Sequence, residues 1–116
     1  MLVKRYDEVA PTAYDGGRDG VTMREMITAS DGAPTFAMRV FDVAAGAATP
    51  YHHHEWEHEV FIVRGTGHVK GEQGDRPFRA GDTVFIARNE PHCFVAETEV
   101  QFVCVIPTPK ASEAAC

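Results

Sequence analysis

The chain has 116 residues, and about 100 to 150 residues is the usual size of one compact domain. Hydrophobic residues make up 44% of the chain and charged residues 24%, which excludes a coiled coil, a collagen-like repeat and a disordered acidic chain. The formal net charge of −6 disfavours nucleic acid as a partner, because a negative surface repels phosphates.

Short segments rich in branched and aromatic residues recur along the chain, separated by turn residues such as Gly, Asp, Asn and Pro. In chain order these segments cover residues 21–28, 36–43, 59–64, 78–79, 83–87 and 100–106. Many short strands at about ten-residue spacing indicate an all-β sandwich or barrel. No window carries the apolar periodicity of a sustained helix.

Two of the segments, residues 60–63 and 102–106, are apolar on both faces instead of alternating. A strand has this composition when one face lines a barrel and the other packs on a second layer or on a partner subunit. Two explanations are open. Either the N-terminal segment folds over the barrel, or a second copy of the chain covers it and the protein is a homodimer.

The sequence also indicates where the protein resides. No stretch approaches the roughly 20 apolar residues of a membrane span, and the first residues are not followed by the apolar run of a secretion signal. The three cysteines, Cys93, Cys104 and Cys116, have no short paired spacing, so a secreted disulfide framework is not expected. We expect a soluble, cytoplasmic protein without a membrane partner.

The histidines give the main chemical signal, because all six lie between residues 52 and 92. On an extended segment residues i and i+2 share a face, so His52 and His54 point the same way and His53 points to the other side. Two imidazoles on one wall of a barrel can hold a metal ion. His58 stands at the mouth of the next apolar run, and His92 follows the segment 83–87. The alternative explanation of a His-His-His run is a solvated loop or the remnant of a tag.

The spacing of these histidines resembles the first motif of the cupin superfamily, G-x5-H-x-H-x3-4-E-x6-G. The match runs from Gly46 through His52 and His54 to Gly65, and every interval is kept. The chain departs from the motif at His58, which occupies the position where the family usually has Glu.

The second cupin motif, G-x5-P-x-G-x2-H-x3-N, is matched more loosely. Gly81 and His92 are in place, whereas Ala87, Asn89 and Ala96 replace the motif's Pro, second Gly and Asn. These changes affect turn geometry rather than the histidine, and Asn still tolerates a positive φ.

The resemblance implies a single-domain antiparallel jelly-roll barrel, also called a double-stranded β-helix. Its core would span about residues 35–106, with residues 1–34 as N-terminal strands that pack on the barrel or on a partner and residues 107–116 as a loose tail. It further implies one divalent transition metal held by His52, His54, His58 and His92. Imidazole suits Fe, Ni, Cu and Zn, with Mn also possible, and we favour Mn or Fe.

Several residues are candidates to line a substrate pocket around the metal. They are Phe94, Phe102, Cys104 and Ile106, and core packing explains each of them equally well. Cys104 is either an oxidisable thiol or a small buried hydrophobe. Arg39 interrupts the apolar segment 36–43. Pointing inward it would hold a substrate carboxylate, and the alternative is an outward Arg on a half-exposed strand.

Three functions follow from the resemblance. Similar cupins include dioxygenases with a redox-active metal and enzymes in which the ion polarises a carbonyl group. Our leading hypothesis is a mononuclear metal-dependent oxygenase that acts on a small organic substrate inside the barrel, since four ligands leave two positions on an octahedral ion. The second is a non-oxidative isomerase or cyclase of a sugar acid or polyketide. The third is a non-catalytic barrel that binds a small ligand.

Overall fold

The computed structural model describes residues 1–14 and 20–108. These residues form nine β-strands and two short 3-10 helices, Tyr6–Glu8 and Ala29–Asp31. The strands in chain order are β1 (Thr12–Ala13), β2 (Val21–Ile27), β3 (Phe36–Val43), β4 (His58–Arg64), β5 (Thr66–Gly71), β6 (Gly74–Arg79), β7 (Thr83–Ile86), β8 (His92–Ala96) and β9 (Val100–Pro107). No helix in these ranges is long and apolar enough to cross a membrane. Residues 109–116, most of the tail predicted to be loose, lie outside the described part of the chain.

The strands form two antiparallel sheets. The larger sheet has the order β1-β2-β3-β9-β4-β7, and the smaller has the order β6-β5-β8. Neighbours in the larger sheet come from distant parts of the chain, because β9 pairs with β3 along its whole length and with β4 on its other side. Two antiparallel sheets in which strands from the beginning and the end of the chain are neighbours form the jelly-roll, or double-stranded β-helix, topology. The predicted all-β fold is confirmed.

Four aromatic rings form the centre of the core between the sheets. Tyr14 meets Phe41 edge to face with ring centroids 5.0 Å apart, and Phe41 stacks on Phe102 at 5.0 Å. Phe102 in turn stacks on Phe94 at 4.7 Å. Because Phe41 and Phe102 belong to the larger sheet and Phe94 to the smaller, the stack joins the two sheets. Burial of each ring stabilises the fold by about 1.5 to 3 kcal/mol.

The outward face of the larger sheet carries several exposed apolar side chains. Phe36 is 66% exposed, Phe85 is 60%, Phe61 is 48% and Val63 is 42%. On β4 these outward residues alternate with buried inward ones, so the run that seemed apolar on both faces has only one face in the core. Residues 1–14 therefore leave this part of the outer face uncovered.

The strand predictions were close for five of the nine strands, no predicted segment covers β1, β5 or β8, and the segment at β6 was too short. The segments at 21–28, 36–43, 59–64, 83–87 and 100–106 correspond to β2, β3, β4, β7 and β9 within two residues at each end. By contrast, β6 begins at Gly74 rather than at residue 78, and β5 and β8 were not predicted as strands. β5 has two glycines and a lysine among its six residues, but it is hydrogen-bonded to β6 on one side and β8 on the other. Pairing on both sides outweighs a weak intrinsic preference.

Candidate metal centre

Residues 46–52 run alongside β8 and bring the first histidines next to the last one. The backbone N–H of Thr49 donates to the carbonyl of Phe94 at 3.0 Å, and the hydroxyl of Thr49 accepts from the N–H of Phe94 at 2.9 Å. His52 and His92 exchange two backbone hydrogen bonds of 3.2 and 3.0 Å. The backbone therefore places two histidines from distant parts of the sequence side by side.

His52, His54 and His92 form a group in which the ligand atoms all lie within 4.8 Å of one another. In each ring Nδ1 faces a backbone carbonyl, which can only accept a hydrogen bond. Nδ1 therefore carries a proton, and in the neutral ring Nε2 keeps its lone pair. The carbonyl partners are those of Pro50, Trp56 and Glu90, at 2.9, 2.7 and 2.7 Å. Hydrogen bonds of this kind orient metal-binding imidazoles in proteins.

The loop that carries His54 is held by Asn89. Its backbone N–H donates to the carbonyl of His54 at 2.7 Å. Asn89 has a φ of +59° and is the one non-glycine residue with a positive φ among those described. The expectation that Asn keeps the turn in place of the motif's glycine is confirmed, because Asn tolerates the left-handed region better than most residues.

His58 lies at the start of β4 and is only 1% exposed. Its Nε2 is 3.1 Å from Nε2 of His92, and its ring centroid is 5.2 Å from that of His54. Two nitrogen ligands about 2.1 Å from one ion are about 3.0 to 3.4 Å apart at octahedral or tetrahedral angles. The distance between His58 and His92 thus suits a shared ion. The compact group of ligand atoms comprises only the other three histidines, so a four-histidine shell stays a prediction.

Burial keeps two of these histidines uncharged. It lowers the pKa of His58 to about 2, with smaller contributions from His92, His54, Arg39 and His52. It also lowers the pKa of His92 to about 4, against the opposing effect of the hydrogen bond to the Glu90 carbonyl. Neutral imidazole is the form that binds metals. The tautomers, the neutral rings and the nitrogen donors together fit a divalent transition metal, whereas Mg²⁺ and Ca²⁺ prefer oxygen ligands.

Arg39 points into the barrel and is 3% exposed. Its guanidinium lies 5.9 Å from the ring centroid of Phe41 and 3.7 Å from the sulfur of Met23. Burial lowers the pKa of Arg39, and Tyr14 and Glu25 oppose that effect. The alternative of an outward Arg on a half-exposed strand is wrong, because Arg39 is buried on the same face of β3 as Ala37, Phe41 and Val43. On β3, Arg39 alternates onto the inward face with Phe41.

The interior contains no buried acidic side chain among residues 1–14 and 20–108. The buried polar and charged residues there are Arg39, Thr49, His54, His58, His92 and Gln101. The charge that the protein contributes to the centre is therefore positive or zero. Such a centre attracts an anionic ligand.

The other predicted pocket residues lie at different distances from the histidines. Phe94 and Phe102 line a cavity of about 10 Å³ beside His58 and His92, which is about the volume that one water molecule requires. The sulfur of Cys104 lies 3.4 Å from Nδ1 of His58. Ile106 is 2% exposed and packs within the hydrophobic core.

Sequence reasoning missed four residues of the centre. Phe41 could have been found, because it lies two residues from Arg39 and shares its face of the strand. The other three lie in loops rather than in strands, and no spacing in the sequence indicated that they reach the centre. They are Tyr14 and Thr49, which line the small cavity, and Trp56, whose carbonyl holds His54. His53 is exposed.

Several solved structures have a similar architecture, among them proteins named as enzymes. The chain is 31% identical to the polyketide cyclase RemF from Streptomyces resistomycificus, with a TM-score of 0.88 over 96% of this chain and 82% of that one. It is 25% identical to a predicted oxalate decarboxylase from Thermotoga maritima, with a TM-score of 0.78 over 93% of this chain and 100% of that one. It is 23% identical to ectoine synthase from P. lautus, with a TM-score of 0.79 over 95% of this chain and 80% of that one. This last similarity is one of fold. No curated protein matches the chain.

A family model described as a cupin domain, Cupin_2, matches residues 39–106. The matched range covers more than half of the chain. It contains all four candidate ligand histidines and the strands from β3 to β9 that position them. With its jelly-roll barrel and its histidine cluster, this chain belongs to the cupin family.

Proposed function

We propose that the protein is a metal-dependent enzyme that binds a small, carbonyl-rich organic anion and converts it without oxidation, as a cyclase or isomerase does. The charge balance of the centre carries this proposal. Histidines and the buried Arg39 surround it, and no acidic side chain is buried among the described residues. A divalent ion bound there would supply Lewis acidity that polarises a carbonyl oxygen. The similarity to a polyketide cyclase supports the same reaction class.

Arg39 would bind the negative end of the substrate. A guanidinium has a fixed planar array of donors that matches a carboxylate or an enolate oxygen. Its attraction to an anion is strong inside the barrel, where little water screens the charge. Packing against Phe41 and Met23 holds the guanidinium in position before the substrate arrives, which lowers the entropic cost of binding.

The aromatic residues beside the centre would exclude water. Phe94 lies with its ring centroid 6.3 Å from those of His58 and His92, and Phe102 stacks behind it. Reactive enolates and polyketones react with water and with themselves, and a dry apolar wall suppresses such side reactions. The neutral state of His58 and His92 keeps their nitrogen lone pairs available to the ion near neutral pH.

Metal analysis of purified variants tests the ligand assignment. We expect His52→Ala and His58→Ala to lose stoichiometric metal, because each removes a nitrogen donor. His53→Ala is the matched control from the same run of histidines, and it should keep the metal because its side chain is exposed. Equal metal content in the three variants would refute the assignment.

Turnover under anaerobic conditions tests the reaction class. The probe is a linear poly-β-ketone acid incubated with metal-loaded protein, and the readout is loss of water on ring closure by mass spectrometry. Arg39→Met should lower kcat/KM by about 10- to 100-fold, the range for a lost hydrogen bond to a charged group. Arg76→Met, on the exposed edge strand β6, is the control. Undiminished activity of Arg39→Met, or ligand binding without any turnover, would refute the proposal.

An oxygenase is the second candidate function. Imidazole ligands suit redox-active iron and copper as well as zinc and nickel, and that observation favours it. It predicts oxygen uptake by protein loaded with Fe or Mn in the presence of an enolisable or aromatic substrate. Activity that persists without oxygen, or a protein that carries only zinc in cells, would exclude it.

We also propose that a second copy of the chain covers the outer face of the larger sheet. The exposed apolar residues Phe36, Phe61, Val63 and Phe85 lie on this face, and an apolar face of this kind can pack against a copy of itself across a two-fold axis. Light scattering after size exclusion should give a dimer, and Phe61→Glu should give a monomer. A monomeric wild-type protein would refute this.

We further propose that the protein is located in the cytoplasm, which cell fractionation would test.

A further inference from the structure

Trp56 is the one tryptophan of the chain, and it touches the candidate ligand His54 in two ways. Its backbone carbonyl accepts a hydrogen bond from Nδ1 of His54 at 2.7 Å. Its indole ring stacks on the imidazole with centroids 4.7 Å apart and planes 8° from parallel. One residue therefore fixes both the tautomer and the plane of this ring.

The stack is specific to His54 among the described histidine contacts. The other ring pairs in the cluster meet at angles between 47° and 83°, such as His58 with His92 at 47° and His92 with Phe94 at 83°. No other candidate ligand is covered by a parallel aromatic face in the described part of the chain.

His54 also needs such support more than the other ligands do. His58 and His92 are the first residues of β4 and β8, and His52 is bonded through its backbone to His92. His54 lies in no strand. Its backbone is held by the hydrogen bond from Asn89, and its side-chain torsions are fixed by the hydrogen bond from Nδ1 and by the stack on Trp56.

We propose that Trp56 is the positioning residue of the metal centre, and that its indole ring holds the imidazole of His54 in the plane that directs Nε2 towards the ion. This inference rests on the proposed metal-dependent function. Without the stack only the Nδ1 hydrogen bond restrains the imidazole, so the ring samples a wider range of orientations and the free-energy cost of ordering it is added to metal binding. Groups behind the ligands influence metal affinity in this way.

The indole N–H of Trp56 makes the effect of substituting this residue simple to interpret. Nε1 of Trp56 is buried and has no hydrogen-bond acceptor among the described residues. Replacement by Phe therefore removes no hydrogen bond and keeps an aromatic face for the stack. Replacement by Leu or Met removes the face, while the backbone carbonyl that binds Nδ1 of His54 remains in all three variants.

The test is a Co²⁺ titration of chelator-treated protein, followed by the absorption of the bound ion in competition with a chelator. We expect Trp56→Phe to bind Co²⁺ within about 2-fold of wild type, and Trp56→Leu and Trp56→Met to bind about 2- to 12-fold more weakly, the range for a lost aromatic stack. Tyr51→Leu is the matched control. It lies in the same loop, is 51% exposed and should bind as wild type does.

A second measurement needs no variant at position 56. Because Trp56 is the sole tryptophan and lies against His54, stoichiometric Co²⁺ should quench the tryptophan fluorescence of the wild-type protein, and His54→Ala should abolish the quenching.

The outcomes separate this inference from the proposed function. If the wild-type protein binds no Co²⁺, the proposed function fails and the role of Trp56 fails with it. If the wild type binds Co²⁺ but the Leu and Met variants bind equally well, the positioning role is overturned while the metal centre stands. Weak binding by Trp56→Phe as well, or stoichiometric binding without quenching, would overturn the role of the stack.

Discussion

Acid should destabilise the metal-free protein well before its carboxylates are protonated. His58 and His92 are buried and neutral in the folded chain, with pKa values lowered to about 2 and about 4. An unfolded histidine has a pKa of about 6.5. Below that pH the unfolded chain takes up two protons that the folded chain excludes, so the free energy of unfolding falls as the pH falls from about 6.5 towards 4.

The size of the effect follows from the same values. Each excluded proton changes the free energy of unfolding by about 1.36 kcal/mol per pH unit. An unfolded histidine is already half protonated at pH 6.5, so the change from about pH 6.5 to pH 5 lowers the free energy of unfolding by about 1.6 kcal/mol for each histidine and by about 3 kcal/mol for the pair. The result depends little on the folded-state pKa values as long as both stay at about 4 or below. A loss of this size is a large part of the 5 to 15 kcal/mol that is typical of a domain.

Urea denaturation of chelator-treated protein, followed by circular dichroism at about pH 7, 6 and 5, measures this loss. His58→Asn should remove about half of the pH dependence, and His53→Asn, whose side chain is exposed, should leave it unchanged. A free energy of unfolding that is flat over this range, or an equal slope in His58→Asn and wild type, would show that these imidazoles are not held neutral by burial.

Three further predictions concern the barrel itself, each measured as a change in the free energy of unfolding. Phe102→Ala should cost about 3 to 5 kcal/mol, because the ring is stacked on both faces and leaves a cavity, whereas Phe85→Ala on the exposed face should cost less than about 1 kcal/mol. A similar loss in both would contradict the packing. Gly65→Ala should cost more than about 1 kcal/mol, since φ is +94° and a Cβ would collide with the carbonyl of Glu99; wild-type stability would refute this. Thr49→Val should cost about 1 to 3 kcal/mol, because a buried backbone N–H of β8 loses its acceptor; an unchanged midpoint would show that another group replaces the hydroxyl.

Much of the fold was predictable because it depends on composition that is local in the sequence. β2, β3, β4, β7 and β9 are rich in branched and aromatic residues between turn residues, and that pattern needs no knowledge of the partner strand. β5 and β8 escaped prediction because their state is decided by pairing. β8 lies between β5 and residues 46–52, and neither neighbour is visible from its five residues.

The candidate site likewise contains residues that the sequence predicts and residues that only the fold reveals. The spacing of His52, His54 and His92 could be read from the sequence because it follows the turns and strands of a recurring motif. The inward direction of Arg39 could not, since a single charged residue in an apolar segment fits either face until the neighbouring strands are known. Trp56 was missed because a face-to-face contact two residues away along an irregular loop has no periodic signature.

The order of the strands has a consequence for association between copies. A sheet edge with unpaired backbone groups can recruit another chain and aggregate. At one end of the larger sheet β1 has two residues, and at the other β7 has four. In the smaller sheet β8 is covered by residues 46–52, and β6 carries Asp75, Arg76, Pro77 and Arg79. Proline and charged residues prevent edge pairing. The edges of both sheets are therefore protected against fibril-like growth, and the proposed contact between two copies would use the apolar face of the larger sheet instead.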